Sequence, residues 1–207
     1  MEFKEIIKTE EQFRKIMGHP SEMVKQKTID YIDSNSQDFI NRSPFIMIAS
    51  SDLDGNFDIS PKGDPSGFVK ILNKKTIAIP DRLGNRKGDT FMNVLKNPNV
   101  GLIFLIPGVK ETLRISGEAQ IVADLEIREQ LSYKSKLPKL VLIVTVKEVF
   151  MHCAKCIIRS KLWEHTNIEN KSTISVLANY LSDNTNTEKT PEEINDILNE
   201  DEKTELY

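Results

Sequence analysis

Cysteine is nearly absent from this chain: there are two, Cys153 and Cys156, separated by only two residues. They sit too close together to staple a fold of 207 residues, so no disulfide framework is expected and the expected compartment is the cytoplasm. Histidine is almost as scarce, with three in the chain. His152 beside the two cysteines offers part of a zinc site, but a closed site needs four ligands, and neither His19 nor His165 has partner spacing. No metal is therefore expected. A thioredoxin-like role for C-x-x-C lacks its βαβ context. No apolar run approaches the length of a membrane span, so no membrane partner is expected. The start, "MEFKEIIKTEEQFRKI", is amphipathic and rich in acids, unlike a signal or transit peptide. Excess positive charge is missing too. With 28 Lys and Arg against 31 Asp and Glu, the net charge of −3 argues against a dedicated nucleic-acid binder. What is present is core material: 39% hydrophobic residues beside 29% charged ones, enough for one domain with extensions or two small ones.

The chain changes character twice. "TEEQFRKIMGHPSEMVKQKTIDYID" reads as helix, turn, helix, with Thr9 and Ser21 as caps and "GHP" as the break. From Pro44 short apolar runs follow one another. "PFIMIASS" and the strand after the D-G turn of "DLDGNFDIS" come first, and "GFVKIL" and "KTIAIP" form a probable hairpin around Asn73-Lys74-Lys75. "VGLIFLI", "ETLRISGEAQIVA" and "LVLIVTVKEVFMH" complete the set, with helical spacing in "KGDTFMNVLKN" and "DLEIREQLSYKSKL". Many short strands with brief helical insertions predict a mainly β protein with flanking helices, an antiparallel barrel closed or nearly so. Too few long crossover helices separate the strands for a parallel α/β sheet. The expected division is a helical extension over 1–42, the barrel over 43–165 and an acidic, partly helical extension over 166–207. That last part reads either as a docked helix or as a disordered tail.

Between two apolar runs lies "PDRLGNRKGD". A phosphate needs positive charge and several hydrogen-bond donors aimed at one point, most readily near a helix start. Gly84 and Gly88 leave the backbone free to approach a ligand, Arg86 can fork onto phosphate oxygens, and Lys87 adds a point charge. The order of glycines and lysine is not a Walker loop, so nucleotide hydrolysis is excluded. The plainer alternative is a solvated turn opening a helix. Upstream, "DISPKGDPSGFV" brings Lys62 to the end of a neighbouring strand, where it could converge on the same anion. Downstream, Thr112 and Arg114 alternate onto one strand face.

Taken together, "SPKGDPSGFV", "PDRLGNRKGDTFMNVLKNPNVGLIFLIPG", "ETLRISGEA" and "HCAKCIIRSKLW" resemble the pyridoxamine 5'-phosphate oxidase-like family of FMN-binding split barrels, nearest its bacterial flavoproteins. The resemblance runs from about Pro44 to Trp163, and weakly includes the "LY" ending. It implies a six-stranded split barrel, a homodimer and two FMN molecules in the dimer interface. "NRK" matches the family's phosphate-holding motif, which implies Asn85, Arg86 and Lys87 as phosphate ligands. Ser60, Pro61, Lys62 and Gly63 match the strand beside the isoalloxazine and ribityl chain, and Asp81 and Arg82 the strand end lining the flavin. Thr112 stands where the true oxidases carry a glutamine reaching FMN from the other subunit, which is a departure. The arginine-histidine motif that grips pyridoxal in those oxidases is not reproduced by "RSKLW", so their substrate is not carried over.

In "HCAKCIIRSKLW", helical spacing would align His152, Cys156, Arg159 and Trp163. One reading is a lid in which Trp163 stacks on flavin or substrate and Arg159 grips an anion. The other is a terminal helix that packs Trp163 into the barrel. The leading expectation is an FMN-dependent oxidoreductase acting on a small-molecule substrate or electron donor, with the flavin carrying the chemistry. The alternatives are a non-catalytic flavin binder or sensor, and a haem-binding or haem-degrading split barrel with His152 as axial ligand.

Overall fold

The computed structural model describes residues 2–164 and 174–204. His165 and the terminal Leu-Tyr pair lie outside the described residues. Seven strands form one antiparallel sheet: β1 (Phe45–Ser51), β2 (Phe57–Gly63), β3 (Lys70–Asn73), β4 (Thr76–Pro80), β5 (Asn99–Leu105), β6 (Thr112–Val122) and β7 (Val141–His152). Their order is β2-β1-β5-β6-β7-β4-β3. Side chains alternate as the two-residue strand period requires. Ile46 and Ile48 of β1 point into the core with Leu102 and Phe104 of β5, Leu113 and Ile115 of β6, and Val144 and Val149 of β7.

The sheet rolls without closing. β2 at one edge and the end of β4, next to the other edge, line the same cleft, yet the two edge strands do not pair. The six-stranded barrel implied by the resemblance is therefore corrected to an open sheet of seven strands. The extra strand is β3, the short outer arm of the hairpin around Asn73-Lys74-Lys75, whose register against β4 slips after Ile71. β2 carries Pro61, which lacks an N–H to donate and is tolerated on an edge strand for that reason. Neither edge offers a clean ladder for the other to join.

α1 (Glu10–Met17) is capped by Thr9, whose hydroxyl accepts from the Gln12 N–H at 3.2 Å, and it ends at Gly18 with φ 71°. α2 (Glu22–Gln26) follows Ser21, which makes no side-chain cap bond. α3 (Ser34–Arg42) is a helix that the sequence pattern did not reveal. It is capped by Asp33, which accepts from the Ser36 N–H at 2.9 Å, and it buries Phe39 and Ile40 in the core of the sheet. α4 (Asp89–Val94) and α5 (Leu125–Gln130) are the two short helices expected between strands. α6 (Lys155–Ser160) begins after β7 has ended at His152 and stops at Lys161, which has φ 52°. His152 and Trp163 therefore lie off the helix, and the stripe expected to join them to Cys156 and Arg159 does not form. In the C-terminal extension, α7 (Val176–Asn184) and α8 (Pro191–Thr204) pack on each other. No helix among the described residues is long and apolar enough to cross a membrane.

Candidate functional site

A cleft of about 550 Å³ opens where β2 faces the loop from β4 to α4. It brings together two sequence segments that were expected to converge. Ser60, Pro61, Lys62 and Gly63 line it from β2, and Asp81, Arg82, Asn85, Arg86 and Lys87 from the loop. Strand alternation accounts for Ser60 and Lys62, while Pro61 and Gly63, exposed on the alternate face, also line the cleft. On β2 the half-buried residues are Asp58, Ser60 and Lys62, while Phe57, Ile59 and Pro61 are exposed on the other face. The Asp58 carboxylate accepts from the Thr90 hydroxyl at 2.7 Å, which ties β2 to α4. Lys62 extends toward the same helix, its Nζ 6.0 Å from the centre of the Phe91 ring.

The loop holds its shape with its own polar groups. Asn85 Oδ1 accepts from the Lys87 N–H at 3.0 Å, so this side chain builds the turn. Arg86 adopts φ 61°, a left-handed conformation that costs a residue with a side chain roughly 1–2 kcal/mol and costs glycine little. Gly88, at φ 71° and ψ 23°, opens α4 in the same region, where its missing Cβ removes that cost. Lys87 Nζ pairs with Asp89 at 2.6 Å, and this hydrogen bond, followed by the charge of Asp89, raises the Lys87 pKa. Arg86 forms no ion pair among the described residues, and neither do Lys62 and Lys139. Three cations without an ion pair among the described residues thus line one cleft.

Arg82 differs from those three. Its Nε donates to Asp64 Oδ2 at 2.6 Å, with the Asp64 side chain 1% exposed and that of Arg82 17% exposed. The pair fastens the β2–β3 loop to the segment leaving β4, so Arg82 acts first as a wall. A second cavity of about 530 Å³ lies beyond it, between α3, the β2–β3 loop and the turn after α5. The two cavities share Phe68 and Arg82. Asp81 is half-buried at the mouth of β4, and its N–H donates to the Leu140 carbonyl at 3.0 Å. Desolvation raises the Asp81 carboxyl pKa, opposed by Lys62 and then Lys139.

A family model described as pyridoxamine 5'-phosphate oxidase matches residues 32–153, more than half of the chain. The chain belongs to the pyridoxamine 5'-phosphate oxidase family. The whole cleft falls inside the span matched to the oxidase family, and α1, α2, Arg159 and Trp163 fall outside it. No curated protein matches. Among solved structures, HupZ of Group A Streptococcus is 23% identical, with 58% of this chain and 93% of that chain covered and a TM-score of 0.48. General Stress Protein 26 from Bacillus anthracis is 14% identical over 56% of this chain and 88% of that one, with a TM-score of 0.43. An FMN-binding protein from Syntrophomonas wolfei is 11% identical over 69% and 96%, with a TM-score of 0.43.

Three expected cofactor contacts lie elsewhere in the chain. Thr112 is buried at the start of β6, opposite His152 of β7. Arg159 is exposed on α6. Trp163 donates its indole N–H to the Val109 carbonyl at 2.7 Å, which anchors the chain after α6 to the β5–β6 turn. His152 also lies outside the cleft, with Nδ1 3.3 Å from the Cys153 carbonyl. Cys153 and Cys156 are exposed free thiols. Sequence reasoning missed Lys139 and Phe91. Lys139 reaches the cleft because β7 pairs with β4, bringing the residue before Leu140 alongside Asp81. The only sequence signal was a lysine just after Pro138, at the start of an apolar run.

Proposed function

We propose that the cleft binds FMN and that the protein is a flavin-dependent oxidoreductase working as a homodimer on a small molecule. The observation that carries this reading is the set Lys62, Arg86 and Lys139, cations without an ion pair among the described residues, around one cleft in a chain of this family. Cations that form no ion pair among the described residues suit a ligand with a strongly anionic end, and the FMN phosphate is one. Arg86 and the loop N–H groups would hold that phosphate, with Lys87 joining once it releases Asp89. Ser60 to Gly63 and Asp81 would flank the remainder of the ligand. Bound there, FMN supplies reversible one- and two-electron redox chemistry, while the chain binds, orients and excludes water. The purified protein is expected to be yellow and to release FMN, with no FAD, on denaturation. A Soret band in place of flavin absorbance, or colourless protein that takes up no added FMN, would contradict the reading. Reduction of the bound flavin by a nicotinamide donor, with turnover of an acceptor, separates an enzyme from a flavin-binding sensor.

The dimer is proposed on the outer face of β2 and its neighbours. Phe57 is 79% exposed and Ile59 is 66% exposed. Register extends this surface across the sheet: Pro61 lies beside Met47 of β1, which lies beside Ile103 of β5. An apolar patch continuous over three strands favours burial against a self-complementary copy. The same strand lines the cleft from Asp58 to Gly63, Ile59 and Pro61 included, so a partner on this face lies next to the ligand. Light scattering is expected to report a dimer for the wild type and a shift to monomer for Ile59→Asp. A monomeric wild type that still binds FMN tightly would overturn this interface.

A further inference from the structure

We propose that Asp81 is the proton-exchanging group of the cleft: it takes up one proton when a flavin enters and then presents an un-ionised carboxyl to the ligand. This rests on the flavin reading above. Asp81 lies on the cleft wall, half-buried, with its backbone pinned to Leu140 where β4 leaves β7. Its carboxylate makes no hydrogen bond and no ion pair among the described residues. Two ammonium groups act on it, Lys62 from β2 and Lys139 from the segment before β7, and both favour the ionised form. Desolvation opposes them and prevails. Arg82, its chain neighbour, is neutralised by Asp64, and farther along the cleft Lys87 is held by Asp89 while Asp58 accepts from Thr90. Arg86 is the remaining cation on that side.

A flavin that fills the cleft strips water from Asp81, and this pushes the carboxyl further toward its neutral form. The balance is simple: carboxylate, flavin and one proton from solvent give a complex containing the carboxyl, and no other bond changes. The neutral group can then donate a hydrogen bond to the ligand, which an aspartate on an exposed turn cannot do at neutral pH.

The test uses riboflavin, which carries no phosphate to titrate, with full-length apoprotein and the Asp81→Asn variant. Affinity is followed from about pH 5 to about pH 8 by fluorescence quenching. Calorimetry in two buffers of different ionisation enthalpy counts the protons. For the wild type, riboflavin binding should weaken by up to about tenfold per pH unit through the titration of Asp81, with net proton uptake. Asp81→Asn should bind with no such slope and no uptake, because the amide resembles the neutral carboxyl. A pH-independent wild type, a slope that survives in the variant, or a folded variant that binds no riboflavin would each overturn the proposal. Failure of both proteins to bind FMN as well as riboflavin at any pH would instead sink the flavin reading of the cleft, and the proposal with it. Folding is checked separately. A carboxyl raised above its unfolded value stabilises the fold below that unfolded value and loses this effect as pH rises through the folded value. Asp81→Asn should therefore melt higher than wild type near neutral pH, and the difference should vanish below the ordinary carboxylate range.

Discussion

Gly117→Ala is expected to lower the melting temperature more than any exposed substitution in the chain. A Cβ at this position would sit 2.3 Å from the Thr145 carbonyl oxygen and 3.0 Å from Val144 Cγ1. The first of these is backbone in the neighbouring strand, so no side-chain rotation relieves the clash. Gly117 lies where the β6–β7 register shifts, pairing with Val146 while Ser116 pairs with Glu148. That irregularity places the Val146 N–H against the Lys75 carbonyl at 2.7 Å, which ties β7 to the β3–β4 turn. Overpacking of well-packed sites costs about 1–3 kcal/mol, and a contact with fixed backbone belongs at or above the upper end. For a chain of this size that corresponds to a fall of roughly 6–12 °C in a thermal melt. A melting point within about 2 °C of wild type would mean the two strands can separate at that point without loss.

Arg86→Ala is expected to weaken FMN binding without harming the fold. Each charge-assisted hydrogen bond to the phosphate is worth roughly 1.5–3 kcal/mol, and at about 1.4 kcal/mol per tenfold one bond implies a ten- to hundredfold loss. The left-handed backbone at Arg86 provides an internal control. Arg86→Gly removes the same side chain and relieves the conformational cost, so it should melt at or above the wild-type temperature and still lose FMN affinity. Lys87→Ala should cost less, because Lys87 is already engaged by Asp89. A solvated turn would instead leave all three variants close to wild type, as surface substitutions usually do.

Much of the cleft was legible because its parts are local. "SPKGD" and "DRLGNRKGD" each place their polar residues within one short segment beside an apolar run, and the adjoining strands needed only to roll together. The pairing that completes the cleft was not legible. Lys139 depends on the β4–β7 register, in which Pro80 meets Val141 across a long sequence gap, and nothing in either strand's composition encodes that match. α3 was hidden for a different reason: "SNSQDFINR" carries only Phe39 and Ile40 as an apolar signal, too few for a helical period, and its Asp33 cap sits in a run of polar residues.

The seventh strand shows where a resemblance and a direct reading differ. The apolar runs themselves number seven, including the hairpin arm that became β3, whereas the family implied six. The stripe through His152, Cys156, Arg159 and Trp163 failed because helical spacing was extended across two boundaries. β7 stays extended through His152 in its pairing with Thr112, and the left-handed Lys161 ends α6 before Trp163. Asn85 shapes the loop, Arg82 braces the wall through Asp64, and Arg86 is left with its charge uncommitted.

The central claim, that this cleft grips FMN by its phosphate, is tested most directly by titrating FMN and riboflavin into wild type and Arg86→Ala. The two ligands share ring and ribityl chain and differ at the phosphate, so the comparison removes any general damage to the fold. The expected result is a ten- to hundredfold loss for FMN, on the order of one charge-assisted hydrogen bond, with riboflavin affinity changed by less than about twofold. Equal losses for both ligands, or no loss for either, would contradict the account.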